Sequence, residues 1–169
     1  QALQSEPTYP AAHALLAWCY EWRYARGGYA EADKQQALEH AHAASGVEVD
    51  DATALAIAGF VRAMLGRDYE FAIISIARAL ELNPSCATAM YLGALTHAAA
   101  GNVQAALALA ERALQLSPFD FLVYQAHFAR TLVAVIEGRF ADAAANSHKM
   151  LQANSNLSSL YFIAAAAHA

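Results

Sequence analysis

The chain has 169 residues, 58% hydrophobic and 15% charged, with a formal net charge of −5 at pH 7. A chain this apolar is not intrinsically disordered, and its acidic balance, with a pI near 5.7, argues against nucleic-acid binding driven by phosphate contacts. Ala supplies 44 residues against 18 Val, Ile and Thr together, which excludes a β-sandwich or barrel and predicts closely packed helices.

Helices are predicted over 10–26, 30–45, 51–65, 69–82, 85–100, 103–116, 120–137, 140–153 and 156–168. The first contains the apolar run LLAWCYEW and ends at the turn Gly27-Gly28-Tyr29; the second carries Ala37, Ala41 and Ala44. Asp50-Asp51 caps the third. After Gly66 a short turn leads to the fourth, with Ala72 and Ala79, which closes on ALELNP at Pro84. In the fifth, Met90, Leu92, Gly93, Leu95 and Thr96 have helical spacing. Gly101-Asn102 breaks it, and the sixth turns Leu107, Ala110, Ala113 and Leu114 inward before ALQLSP ends at Pro118. Asp120 caps the seventh. Gly138-Arg139-Phe140 then leads to a helix with Ala143 and Met150, ending in LQANS, and LSSLYFIAAAAHA is half of a further copy.

These segments repeat. Pro84 and Pro118 lie 34 residues apart, each preceded by Gly, a short turn and two Ala at matching offsets. The pattern resembles the tetratricopeptide repeat, a helix–turn–helix unit of 34 residues. Its small-residue positions match at Ala17, Gly59, Ala94 and Ala165 in first helices. In second helices they match at Ala37, Ala72, Ala106 and Ala143, then Ala44, Ala79 and Ala113; the aromatic in the turn matches at Tyr69 and Phe140. The resemblance implies an all-α fold, a right-handed alpha-alpha superhelix of about four and a half units. They fall at approximately 10–50, 51–84, 85–118, 119–155 and 156–169 (partial), in a single solenoid over 1–169. Small residues let the two helices of a unit nest, and neighbouring units bury the remaining apolar faces. The pieces HALLAWCYEWRYARG, LGRDYEFAIISIARALELNP and ERALQLSPFDFL also look like the arrays C-terminal to class III nucleotide cyclase or winged-helix domains of bacterial regulators. A start at Gln1 without Met, and an AAAAHA end, are read as those of a fragment of a longer protein.

In that family the first helix of each unit lines a concave groove. Carried over by position, the groove residues here include Trp18, Trp22, Phe60, Met64, Tyr91, Leu95, Phe128, Leu132, Ile136 and Phe162, with Glu21 the one charge among them. The carboxylate-binding subtype needs Lys, Asn and Arg on this surface; Ala14, Trp18, Ile57, Tyr91 and Leu95 stand there instead. The expectation is a groove that takes an apolar helix, an apolar peptide or another domain of the same protein by burial rather than charge. Packing of the aromatics against the chain's own next helix, or a homodimer covering them, are the competing outcomes.

Other chemistry finds little support. The seven His, of which His40 and His42 point to different faces, show no i, i+4 metal pair. Cys19 and Cys86 read as reduced structural thiols. Arg23, Arg26, Arg62, Arg67 and Arg78 are mixed with acids and read as solvated faces. No nucleophile motif, phosphate-cradling loop, signal peptide or membrane-length apolar run is present. No cofactor is expected. The leading expectation is a non-enzymatic, cytoplasmic protein–protein interaction module, the C-terminal regulatory segment of a bacterial signalling or transcription-regulatory protein. The alternative is a small-molecule or lipid-sensing helical domain.

Overall fold

The computed structural model describes residues 6–46, 49–156 and 158–168, the side chains of 158, 159, 162, 167 and 168 excepted. Among the described residues there are nine helices and no strand: α1 Pro10–Arg26, α2 Glu31–Ala43, α3 Ala52–Gly66, α4 Tyr69–Leu82, α5 Ala87–Ala99, α6 Val103–Leu116, α7 Val123–Ile136, α8 Phe140–Ala153 and α9 Ser158–His168. They divide into two compact units, Gln1–Ala89 and Met90–Ala169, with the division inside α5.

Local signals set the helix ends. Pro10 occupies the first position of α1, where its missing N–H costs nothing. The Asp51 carboxylate accepts from Thr53 N–H and Ala54 N–H and caps α3; Asp68 caps α4 by accepting from Phe71 N–H. Asp120 acts one step earlier than the sequence suggests. Its carboxylate accepts from Leu122 N–H at 2.9 Å, so it shapes the preceding turn, and α7 starts at Val123. At their C-termini the first helices of successive units share one device. Gly101 and Gly138 take positive φ (81° and 70°), and the next N–H reaches back to His97 O and Ala134 O, both at 2.8 Å. After α3 the same left-handed place is held by Arg67, at φ 57°.

In the first unit α1 packs on α2 and α3, α2 on α3, and α3 on α4. Ala14 and Ala17 of α1, Ala37 and Ala41 of α2, and Ala72 and Ala79 of α4 are fully buried. α3 is covered nearly all round: Ala54 to Val61 are all buried. Gly59 sets the closest approach, since a Cβ there would stand 3.1 Å from Ser75 Cβ and 3.2 Å from Ala72 O. In the second unit α6 packs on α7, α7 on α8, and α9 on both α7 and α8. Ala134 nests against Ala143, flanked by Val135. Ala106, Ala110, Ala113, Met150 and Leu160 complete that core. The Ala positions picked out by the repeat are thus buried, except Ala165, which is exposed.

The arginines are more engaged than solvated faces would be. Arg23 pairs with Asp33 at 3.0 Å. Arg62 pairs with Asp68 and lies over the Phe71 ring. Arg78 donates to Val49 O at 3.3 Å. The Arg23 and Arg62 contacts cross the turn that follows their own helix, and only Arg78 reaches a segment far away in sequence.

Candidate functional site

The ten groove positions separate by burial. In the first unit Phe60 is 3% exposed and belongs to the core, while Trp18, Trp22 and Met64 are partly exposed. Trp18 and Trp22 stand one helical turn apart and meet edge-to-face, centroids 5.9 Å apart. The Arg26 guanidinium lies 4.2 Å from the Trp22 ring centroid. Glu21 sits between these residues on the same helix. Burial pushes its carboxyl up to about 7, and the Arg26 charge offsets only part of that.

In the second unit Tyr91 is fully buried and Leu95 nearly so. The Tyr91 hydroxyl donates toward Ser117 O at 2.7 Å and Ala113 O at 3.1 Å, which ties off the end of α6. Burial, with the Asp120 charge second, pushes that phenol up to about 12. Phe128 and Leu132 are partly exposed and Ile136 is exposed. Phe162 lies outside the described side chains. The same helix carries polar groups among its buried residues. Gln125 is buried and donates to the Tyr124 hydroxyl at 3.1 Å. The imidazole of His127 is pushed down to about 4, chiefly by burial and then by the Arg130 and Lys149 charges.

A cavity of about 630 Å³ in the first unit is lined by Cys19, Trp22, Arg23, Arg26, Gly27 and Asp33. It adds charged residues that the groove positions do not contain. Cys19, Trp22, Arg23 and Arg26 are spaced i, i+3, i+4, i+7 and form one stripe of α1; Asp33 of α2 closes the far side through Arg23. The spacing was readable in the sequence, but Asp33's approach was not. Cys19 is exposed and Cys86 buried, both as free thiols.

Among the described residues no group of three or more His, Cys, Asp or Glu is placed to hold a metal ion. His13 and His40 do meet, Nδ1 to Nδ1 at 2.9 Å. Because His13 Nε2 faces Pro7 O at 2.8 Å and donates to it, His13 Nδ1 accepts and His40 Nδ1–H donates. Desolvation and the neighbouring His13 hold His40 below the ordinary imidazole value. Among the described residues no helix is long and apolar enough to cross a membrane.

No family model matches the chain, and no curated protein does. A solved structure does: the crystal structure of a tetratricopeptide repeat protein from Parabacteroides merdae, with a TM-score of 0.61 at 19% identity over 99% of this chain. The chain spans 62% of the length of that solved chain. The likeness shows the fold, an all-helical repeat of the tetratricopeptide kind.

Proposed function

We propose that this chain is a non-enzymatic protein-interaction scaffold that binds an apolar helix, an apolar peptide or another domain of the same protein on the faces of its first helices. The observation that carries the reading is the division of the groove positions. Phe60, Tyr91 and Leu95 go into the core, whereas Trp18, Trp22 and Met64 in one unit and Phe128, Leu132 and Ile136 in the other keep large apolar groups at the surface. Folded chains seldom leave such groups open in clusters unless something covers them. The two units serve as parts of one repeat array. Its setting is cytoplasmic, as the regulatory segment of a bacterial signalling or transcription protein, with docking felt by a catalytic or DNA-binding domain elsewhere in that protein. The lining of the 630 Å³ cavity, with two guanidiniums and a carboxylate, does not suit an acyl chain and so disfavours the lipid-sensing alternative.

The test is selection of binders from a displayed peptide library, followed by titration against Leu132→Ser/Ile136→Ser and Met64→Ser variants. The selected peptides should be apolar and lose roughly tenfold or more in affinity on at least one variant, with thermal midpoints held. Peptides that bind every variant as tightly as the parent would refute the reading.

A further inference from the structure

One aromatic side chain is left in water by a turn with no freedom to withdraw it. Phe119 is 98% exposed. The turn that carries it is tied at every step. Pro118 fixes its own φ. Asp120 N–H donates to Ser117 O at 3.2 Å and Val123 N–H to Asp120 O at 3.1 Å. Leu122 N–H donates to the Asp120 carboxylate, and the Leu122 side chain is fully buried. The Tyr91 hydroxyl holds Ser117 O from below. The result is a rigid projection with an aromatic ring at its tip and a carboxylate beside it. That carboxylate has one oxygen committed to Leu122 N–H and the other only to a long 3.5 Å contact from the Ser117 hydroxyl, so it can still accept from a guanidinium.

The complementary charge is present on the same chain. The cavity on the α1 stripe offers the Trp22 ring and the Cys19 thiol to an aromatic ring, and Arg26 to a carboxylate. Arg23 is already paired with Asp33. Arg26 makes no ion pair among the described residues, and burial raises the Glu21 carboxyl to about 7, so it offsets only part of the Arg26 charge at neutral pH. The cavity therefore carries net positive charge, and at about 630 Å³ it falls in the size range of ligand sites.

We infer that the chain associates with itself head to tail, with the Phe119-Asp120 turn of one copy seated in the Cys19/Trp22/Arg26 cavity of a second copy. This goes beyond the partner-binding reading: the occupant is this chain, and of the surface residues named for that reading only Trp22 also lines the cavity. Charge complementarity selects the occupant: an acidic aromatic tip meets a cationic aromatic cavity. In this head-to-tail arrangement each contact joins unlike surfaces, so it is heterologous and adds copies one after another.

The experiment is light scattering of the whole 169-residue chain as its concentration is raised, at low and high salt, with Phe119→Ser and Arg26→Glu. Both substitutions are at exposed positions, so the fold is kept, and circular dichroism verifies it. The parent should grow in mass with concentration, and less so in high salt. Each variant alone should associate about tenfold or more weakly. Mixed in equal amounts, the two variants should form a dimer and nothing larger, because the Arg26→Glu copy keeps its tip and the Phe119→Ser copy keeps its cavity. Trp18 and Trp22 are the only two tryptophans, so the junction also reads out in intrinsic fluorescence. A parent that stays monomeric, a Phe119→Ser variant that associates like the parent, or a mixture that stays monomeric would each overturn the inference.

Discussion

At Gly59 the missing side chain is itself what permits a contact. A Cβ would meet Ala72 O at 3.2 Å, Ala72 Cα at 3.4 Å and Ser75 Cβ at 3.1 Å, and two of those three atoms are backbone of α4. Helix propensity alone favours Gly→Ala by about 1 kcal/mol. Overpacking of a dense interface costs roughly 1–3 kcal/mol, and the second term should win. Gly59→Ala is expected to lower the urea midpoint by the equivalent of about 1 kcal/mol; a higher midpoint would show that α4 yields. Arg67 poses the opposite case. It holds a left-handed conformation (φ 57°, ψ 25°) at the end of α3, where the equivalent turns use Gly101 and Gly138. A side chain costs about 1 kcal/mol in that region. Arg67→Gly should therefore raise stability by up to about 1 kcal/mol, measured by chemical denaturation, although it removes a charged residue.

Among the elements, α5 shows why a position on a helix face is not yet a place on a surface. Repeat offsets put Tyr91 on the face that lines a groove, yet its hydroxyl is spent on Ala113 O and Ser117 O. Tyr91→Phe removes that hydroxyl while Ala113 O keeps the Ser117 N–H and Ser117 O keeps the Asp120 N–H, and should cost on the order of 0.5–1.5 kcal/mol, seen as a lower thermal midpoint with peptide affinity unchanged. An equal loss of affinity would instead make Tyr91 a contact residue. Most helix bounds were legible: α1, α4, α6 and α8 fall where Gly turns, Pro stops and apolar spacing place them. The Ala contacts were legible too, because small residues recur only where two helix axes must approach. Three things were not. Periodicity gives the direction in which Phe60 or Leu95 points, but not what covers it. The meeting of His13 with His40 depends on how α1 and α2 pack across the Gly27-Gly28 turn, and the cavity's far wall is a residue of another helix. Asp120 was read as a helix cap because an Asx turn and an N-cap present the same residue a step or two before a helix.

For the molecule as a whole, the partly buried titratable groups set how stability changes with pH, and they act in opposite directions. Glu21 has a folded value of about 7 against an ordinary value of 4.5, so the folded chain binds more protons between those limits. Its penalty is complete above pH 7 and disappears as pH falls toward 4.5. His127 has a folded value of about 4 against 6.5, and His40 and His97 are lowered as well. For these the unfolded chain binds more protons, so the stability is present above pH 6.5 and drains away below it. Three imidazoles against one carboxyl predict a net loss of stability on acidification from neutrality, softened by Glu21. Each of the two large shifts corresponds to about 3.4 kcal/mol at most, and to less where solvent reaches the group. Glu21→Gln should raise the thermal midpoint at pH 8, match the parent near pH 4.5, and give a steeper acid decline between them. His127→Leu should flatten the decline below pH 6.5 and change little at pH 8. The charges that perturb Glu21 (Arg26) and His127 (Arg130 and Lys149) are separate sets, so the double variant should show the sum of the two profiles. Thermal denaturation of the four proteins across pH 4.5 to 8 measures this directly. A Glu21→Gln midpoint below the parent's at pH 8 would show that the Glu21 carboxylate is stabilised by Arg26 rather than penalised by burial.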